Sequence, residues 1–326
     1  MNASHLRTRR EFLVSLVFLA AVAAVPLFVT SGYLLGIVIV AMYYALLAIA
    51  WNLLAGYTGQ FSLAPTAFAM IGAYGTGMAS YHFGLPPAVG VPIAILVSAV
   101  IGMGLGRIVV PLRGPYLALT TIAFAEIVRH VARNAHEYTR GDFGMSVPLI
   151  SSDRVMAFYL MLALLVAVQV GLYFLLRSHA GLYLQAIRDD ETAAAGRGIN
   201  VIFWKTVAFT VSGAICGFAG AMYVHFSGLA SPDIGHIFET GLVLASVVIG
   251  GIGTMIGPLV GGFIVQFAAE GFREFGLRHM LVFAAMVILF VRFFRQGLWG
   301  LVKNAWDRLF GQGAARPARQ VKEAGE

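Results

Sequence analysis

From Phe12 to Thr30 the chain carries no charged side chain, and from Leu34 to Leu54 it again carries none. Runs of this kind match the roughly 20 apolar residues with which a helix crosses about 30 Å of hydrocarbon. They recur at Phe61–Tyr81, Val89–Val110, from Tyr116, at Val155–Leu176, Val207–Phe226 and Met280–Phe294. A water-soluble fold is excluded, because only 11% of the residues are charged and 59% are hydrophobic, against roughly 25% charged in ordinary globular chains. With loops allowed for, 326 residues hold about eight to ten spans. The expected fold class is an all-α polytopic membrane helical bundle in a lipid bilayer.

The scarce charges orient it. Arg7, Arg9 and Arg10 precede the first run, so the N-terminus is expected to be cytoplasmic under the positive-inside rule. Ala21-Val22-Ala23 has the small-residue pattern of a signal-peptide cleavage site, but the apolar run continues past it and fits a start anchor better. Arg107 and Arg113 follow the fourth run, whereas Ser31–Tyr33 and His82–Pro87 carry no Lys or Arg. The fifth run gives way at Glu126 to Arg129, His130, Arg133, Glu137, Arg140 and Asp142, read as an external polar loop or a small surface structure. The loop Ser227–Thr240 holds Asp233 and Glu239 without a basic residue and is expected to be external too. Arg292, Arg295, Lys303, Arg308, Arg316, Arg319 and Lys322 place the chain's end inside. The expected organisation is a cytoplasmic N-terminus over 1–11, a permease domain over 12–303 with a cytoplasmic loop over 177–205, and a basic cytoplasmic tail over 304–326.

Parity then constrains residues 242–268. One crossing there would leave the basic tail outside, so the segment is expected to be two short tilted spans or a re-entrant pair of half-helices. Gly250, Gly251, Gly253, Gly257 and Pro258 interrupt it. Non-helical backbone at membrane depth survives only where protein or a water-filled cavity covers it, and broken helices often build a substrate path; a tightly packed hinge is the alternative. Gly253/Gly257/Gly261, Gly213/Gly217 and Gly102/Gly106 form small-xxx-small ladders, which let helix backbones approach closely within a bundle or a dimer.

Motifs of chemistry are missing. No lysine stands in a phosphate-binding loop, His136-Glu137 lacks the second histidine of a zinc helix, and no serine sits in a G-x-S-x-G turn. No enzyme activity, metal or cofactor is expected. The net charge of +7 is cytoplasmic anchoring charge rather than a nucleic-acid surface, and the lone Cys216 forms no intramolecular disulfide. Ionisable residues inside spans mark ion-coupled transporters; only Glu126 and Glu270 approach that description, both near run ends. Energy for transport must come from elsewhere.

The polar segment Arg177–Lys205 is the strongest functional candidate. It reads as a short helix ending at Gly196-Arg197-Gly198, with Leu182, Leu184 and Ile187 on one side and Arg188, Asp189 and Glu191 facing a cytoplasmic neighbour. A polar connector of that length between spans is uncommon unless functional.

With Asn52-Leu-Leu-Ala-Gly-Tyr-Thr-Gly-Gln-Phe-Ser-Leu63, Leu112-Arg-Gly-Pro-Tyr116 through Ile127, Ala186–Asn200, Gly220-Ala-Met-Tyr223, Ser231-Pro-Asp233, Gly250-Gly-Ile-Gly-Thr254 with Gly257-Pro258, and Gln296-Gly-Leu-Trp-Gly-Leu301, the chain resembles the M-type permease subunits of ABC importers for branched-chain amino acids. The resemblance implies a homologous H-type permease as heterodimer partner, two cytoplasmic ABC ATPase subunits, and a periplasmic or extracellular substrate-binding protein. It assigns ATPase docking to Arg188, Asp189, Asp190, Glu191, Ala193, Ala194, Gly198 and Ile199. Ala195-Gly196-Arg197 departs from the family, where a more helix-favouring stretch is usual; glycine weakens a helix by about 1 kcal/mol per residue. Asn52, Gln60, Ser62 and Thr66, with Gly250, Gly251 and Gly253, are candidates for the translocation path, interhelical hydrogen bonding being the alternative role of the four polar residues. A secondary transporter or channel for small polar solutes such as urea or amides remains the competing function.

Overall fold

A computed structural model describes residues 3–272 except Thr30 and Arg113, and beyond them only 284, 285, 287, 288, 290, 292 and 297–300. The last apolar run therefore lies largely, and the basic tail wholly, outside the described residues.

The fold is built around α3 (Gly32–Ala55). Its sequence has no polar face, and a helix that is apolar all round must be enclosed; from Ala41 to Leu54 every residue is buried. On one side lie α1 (Ala3–Ala23), α2 (Val25–Phe28), and α8 (Arg154–Arg177). On another lie α4 (Pro65–Phe83), α5 (Pro87–Val109), α6 (Pro115–Asn134) and α11 (Val201–Ser227). The remaining flank is an antiparallel pair, α12 (Ile237–Gly250) and α13 (Gly257–Phe272). Among the described residues, five helical segments are long and apolar enough to cross a membrane: Thr8–Phe28, Gly32–Ala55, Pro87–Val109, Arg154–Arg177 and Val201–Ser227.

Two glycine ladders meet one another. Gly102 and Gly106 of α5 face Phe209 and Gly213 of α11, while Gly217 faces Ser98. Gly72 of α4 approaches so closely that a Cβ there would lie 2.0 Å from the Gly217 carbonyl oxygen. These small residues pack helices within the chain. The third ladder is shorter than expected: Gly253 sits in a turn, and only Gly257 and Gly261 lie on α13, against Gly250 and Ser246 of α12.

Hydrogen bonds at the two ends of α3 define two faces of the bundle. At its Ala55 end, Asn52 holds Gly253; at its Gly32 end, the Tyr33 hydroxyl donates to Glu270 at 2.6 Å. Helix α13 thus runs from the first face toward the second. Opposite the first face, the Arg188 face, where Arg188 bonds the Gly56 carbonyl, β1 (Met145–Ser146) and β2 (Leu229–Ala230) pair antiparallel, Met145 facing Ala230. The ribbon puts the exits of α6 and α11 on one face, the far face.

Three expectations are corrected. Residues 56–64 are non-helical, so the third run begins its helix at Pro65, where the ring's fixed φ suits the first turn. Helix α6 does not end at Ala125 but continues through Asn134; Arg129 bonds Glu126 at 2.6 Å one turn earlier, so the polar stretch extends the helix. The loop 227–240 is not wholly a surface loop. After the ribbon it descends between helices: Pro232, Ile234 and Gly235 are buried, Gly235 lies against Met70, and Thr240 bonds Thr66. Helix α12 then begins inside the bundle, and from Glu239, beside Tyr44, to Gly250 it covers only about 17 Å. Residues 242–268 accordingly form a half-length helix, a turn at the Arg188 face, and a longer return helix.

Candidate functional site

The turn between α12 and α13 collects hydrogen bonds from three other elements and a packing contact from a fourth. Gly251 (φ 126°) and Gly253 (φ 72°) take left-handed conformations that only glycine adopts without strain. Thr254 Oγ donates to the Gly251 carbonyl at 2.8 Å and accepts from Gly257 N–H at 3.1 Å, closing the turn on itself. The Asn52 amide spans it: Nδ2 donates to the Thr254 carbonyl at 2.9 Å and Oδ1 accepts from Gly253 N–H at 2.8 Å. Glu11 of α1 accepts from Met255 N–H at 2.8 Å, and Gln169 of α8 donates to the Met255 carbonyl at 3.1 Å. Buried backbone that is not helical needs partners of this sort, because an unpaired group at membrane depth is expensive.

Arg188 packs against the turn from a fourth element. The expected short helix is two: α9 (His179–Asp189) and α10 (Glu191–Gly196), broken at Asp190. Asp190 is extended, and its carboxylate caps α10 by accepting from Thr192 N–H at 2.8 Å and Ala193 N–H at 2.9 Å. Leu184 and Ile187 are buried beneath this elbow, while Leu182 is 41% exposed. Arg188 keeps part of its side chain in contact with solvent but bends back over the turn. Its guanidinium donates to the Gly56 carbonyl, its stem covers Gly59, and a Cβ at Gly253 would lie 2.8 Å from its Nη1.

Of the other residues assigned to docking, Asp189, Ala193 and Gly198 are exposed and Ile199 is half-buried. Ala194 is 3% exposed and packs inward. Glu191 is tied to Lys205 at 2.9 Å, an ion pair whose lysine side chain is almost fully enclosed. Helix α10 ends at Gly196, with Gly198 at φ 85°, where the sequence weakens it.

The path candidates separate. Asn52, Gly250, Gly251 and Gly253 build the turn. Gln60 and Ser62 are buried in the loop 56–64, where Gln60 receives a long contact from Thr58 Oγ at 3.4 Å and Trp51 Nε1 donates to the Ser62 carbonyl at 2.5 Å. Thr66 alone among them reaches mid-depth, paired with Thr240 at 2.6 Å beside the start of α12.

Around that point the structure assembles groups that the sequence by itself does not join. Glu239, in the first turn of α12, accepts from the Tyr44 hydroxyl. Tyr43 stacks on Tyr223 of α11 with ring centroids 4.5 Å apart. His236 caps the helix, its Nδ1 accepting from Phe238 N–H at 3.2 Å, and it is exposed together with Ile237. The signal for this start is the spacing of His236 and Glu239, that of a capping residue and its third-position acid. Among the described residues no three His, Cys, Asp or Glu side chains come together to hold a metal.

The bundle, its half-length α12 and the elbow packed against the α12–α13 turn can be set beside known proteins. The family model for the permease component of branched-chain amino acid transport systems matches residues 33–291. The chain belongs to that family. It is 31% identical to the high-affinity branched-chain amino acid transport system permease protein LivM of Salmonella typhimurium, with 95% of this chain and 79% of the relative covered. Against the LivM protein of Escherichia coli K12 it is 32% identical, covering 89% of this chain and 75% of the relative. The ribose import permease protein RbsC of Haemophilus influenzae is 25% identical over 86% of this chain and 90% of its own. No solved structure matches the chain. Family and apolar helices together make it a multi-pass membrane protein and a transport permease component.

Proposed function

We propose that this chain forms half of the translocation path of an ABC importer for branched-chain or related amino acids, in a bacterial inner membrane with both termini cytoplasmic. A homologous H-type permease completes the path, a substrate-binding protein delivers cargo at the far face, and two ATPase subunits dock on α9–α10. The observation that carries this reading is the attachment of the elbow. Its exposed Asp189 and Ala193 are available to a cytoplasmic partner, while Arg188, the residue before Asp189, is bonded to Gly56 and set against Gly253.

Closure of the ATPases on ATP would push the elbow. Arg188 would pass that movement to the α12–α13 turn, and Glu11, Asn52 and Gln169 would pass it on to α1, α3 and α8. Because α12 starts at mid-depth, displacing its lower end also displaces Glu239 and Thr240, which line the centre of the bundle. No ATP chemistry is asked of this chain.

The test is reconstitution of the permease pair with its ATPase and binding protein in proteoliposomes. Uptake of a branched-chain amino acid should require ATP and all components. Uptake by this chain alone, collapsing with a proton gradient, would sink the reading in favour of a secondary transporter.

A further inference from the structure

Glu239 is a carboxyl at mid-depth, and no ion pair among the described residues involves it. The group that donates to it is a neutral phenol, Tyr44. The titratable groups close to it on other positions of its own segment are His236 and Asp233, and those facing it from α3 and α11 are Tyr43, Tyr44 and Tyr223. Intramembrane acids are retained where they do work, and they pair with a cation or face water. Among the described residues no Arg or Lys supplies the cation. Glu239 and Tyr223 are only part-buried, and the adjoining Ile237 is 51% exposed beside an exposed His236. A histidine and an acid at that depth are poor lipid-facing groups, so their exposed side suits a polar passage rather than lipid.

We infer that Glu239 and Tyr223, backed by the buried Tyr43 and Tyr44, form a subsite for the ammonium group of the cargo, a reading that rests on the proposed importer function. The chemistry fits on each side. A carboxylate accepts charge-assisted hydrogen bonds from an ammonium, and aromatic faces attract cations within about 6 Å of the ring centroid. Tyr43 and Tyr223 stack at 4.5 Å and so cover one face of each other, which leaves the outer side of the part-exposed Tyr223 for a cation, while Tyr44 orients the carboxyl from the other side. The neighbouring Thr66–Thr240 pair supplies neutral hydroxyls only. The set selects positive charge on the cargo: a primary ammonium is held, and an aliphatic carboxylate lacking the amine is not. Being one turn into α12, the subsite also moves with the helix that Arg188 drives.

The experiment uses Ile237→Cys in the assembled transporter in native membranes; Cys216 is fully buried and serves as the silent background. Labelling by a membrane-impermeant maleimide is measured with leucine, isopentylamine or 4-methylpentanoate present. Leucine and isopentylamine should slow labelling about tenfold, the carboxylate analogue should not, and Glu239→Gln should abolish the protection while Glu239→Asp keeps part of it. Glutamine keeps the acceptor for Tyr44, so a purely structural Glu239 predicts protection unchanged. That result, equal protection by 4-methylpentanoate, or no labelling at position 237 at all, would overturn the subsite. Failure of the importer reading shows separately, as wild-type proteoliposomes that take up leucine without ATP.

Discussion

Replacing Asn52 by leucine isolates the bond between the core helix and the broken segment. Leucine branches at the same carbon as asparagine and is not smaller, so no cavity is left and the loss falls chiefly on polar groups. Two buried backbone atoms, Gly253 N–H and the Thr254 carbonyl, lose the partners they hold at 2.8 and 2.9 Å. An orphaned buried group costs about 1–3 kcal/mol, whereas interhelical side-chain hydrogen bonds in membrane proteins average nearer about 0.6 kcal/mol. These limits bracket the pair between about 1 and 6 kcal/mol, and a middle value of about 3 kcal/mol corresponds to roughly a hundredfold rise in local opening. Thr254, Glu11 and Gln169 still hold the turn, so opening is local and the bundle stays folded. Hydrogen exchange followed by mass spectrometry on a peptide covering 251–256 should show the rise. A peptide from the α5–α11 interface should exchange as in the wild type. Unchanged exchange at Gly253 would refute the assignment of Asn52 as the clamp, and faster exchange everywhere would show that the clamp supports the whole fold.

Arg188→Ala removes the link between elbow and turn but leaves Asp189 and Ala193 exposed; the ATPase should still co-purify while uptake per ATP hydrolysed falls about tenfold, read as the ratio of the two rates in proteoliposomes. Loss of co-purification would make Arg188 a partner contact. Gly72→Val places a side chain 2.0 Å from the Gly217 carbonyl, backbone that cannot rotate away; it should cost about 3 kcal/mol or more by overpacking and lower the thermal unfolding midpoint in detergent, whereas Gly104→Val, with nothing within 4 Å, should not.

Much of the architecture is legible in the sequence because lipid imposes a strict rule: Leu34–Leu54 and Val155–Leu176 are apolar for a membrane's thickness and form α3 and α8 with small changes at the ends. Arg and Lys placement is an independent signal: with both termini expected on one side, parity argues against a single span over 242–268, and the segment is two helices, α12 and α13. Where α12 begins is hidden. Asp233 and Glu239 in a segment without apolar periodicity look like a water-exposed loop, and only tertiary covering by α4 and α6 turns that segment into buried backbone. Asn52 stands out as a polar residue in an apolar run, but its role depends on a turn some 200 positions later, which no local pattern encodes. Arg188 reads as outward from sequence because charged residues face water by default; its bond to a loop carbonyl is a long-range fact.

The two-residue β-ribbon on the far face limits how the bundle can open. Met145 and Ala230 both lie against Gly77 of α4, and Val147 N–H donates to the Gly228 carbonyl at 2.9 Å. His225 adds a cross-tie, bonding Thr76 at 2.8 Å through one ring nitrogen and the Pro148 carbonyl at 2.7 Å through the other. α4, the exit of α6 and the exit of α11 are thus buttoned together like a collar. A far-face aperture made by parting those helices would have to undo every button at once. In the proposed transport cycle, opening at the far face would therefore be a hinge between this collar and the α3, α12 and α13 flank, with Tyr43 and Tyr223 as the seam that parts.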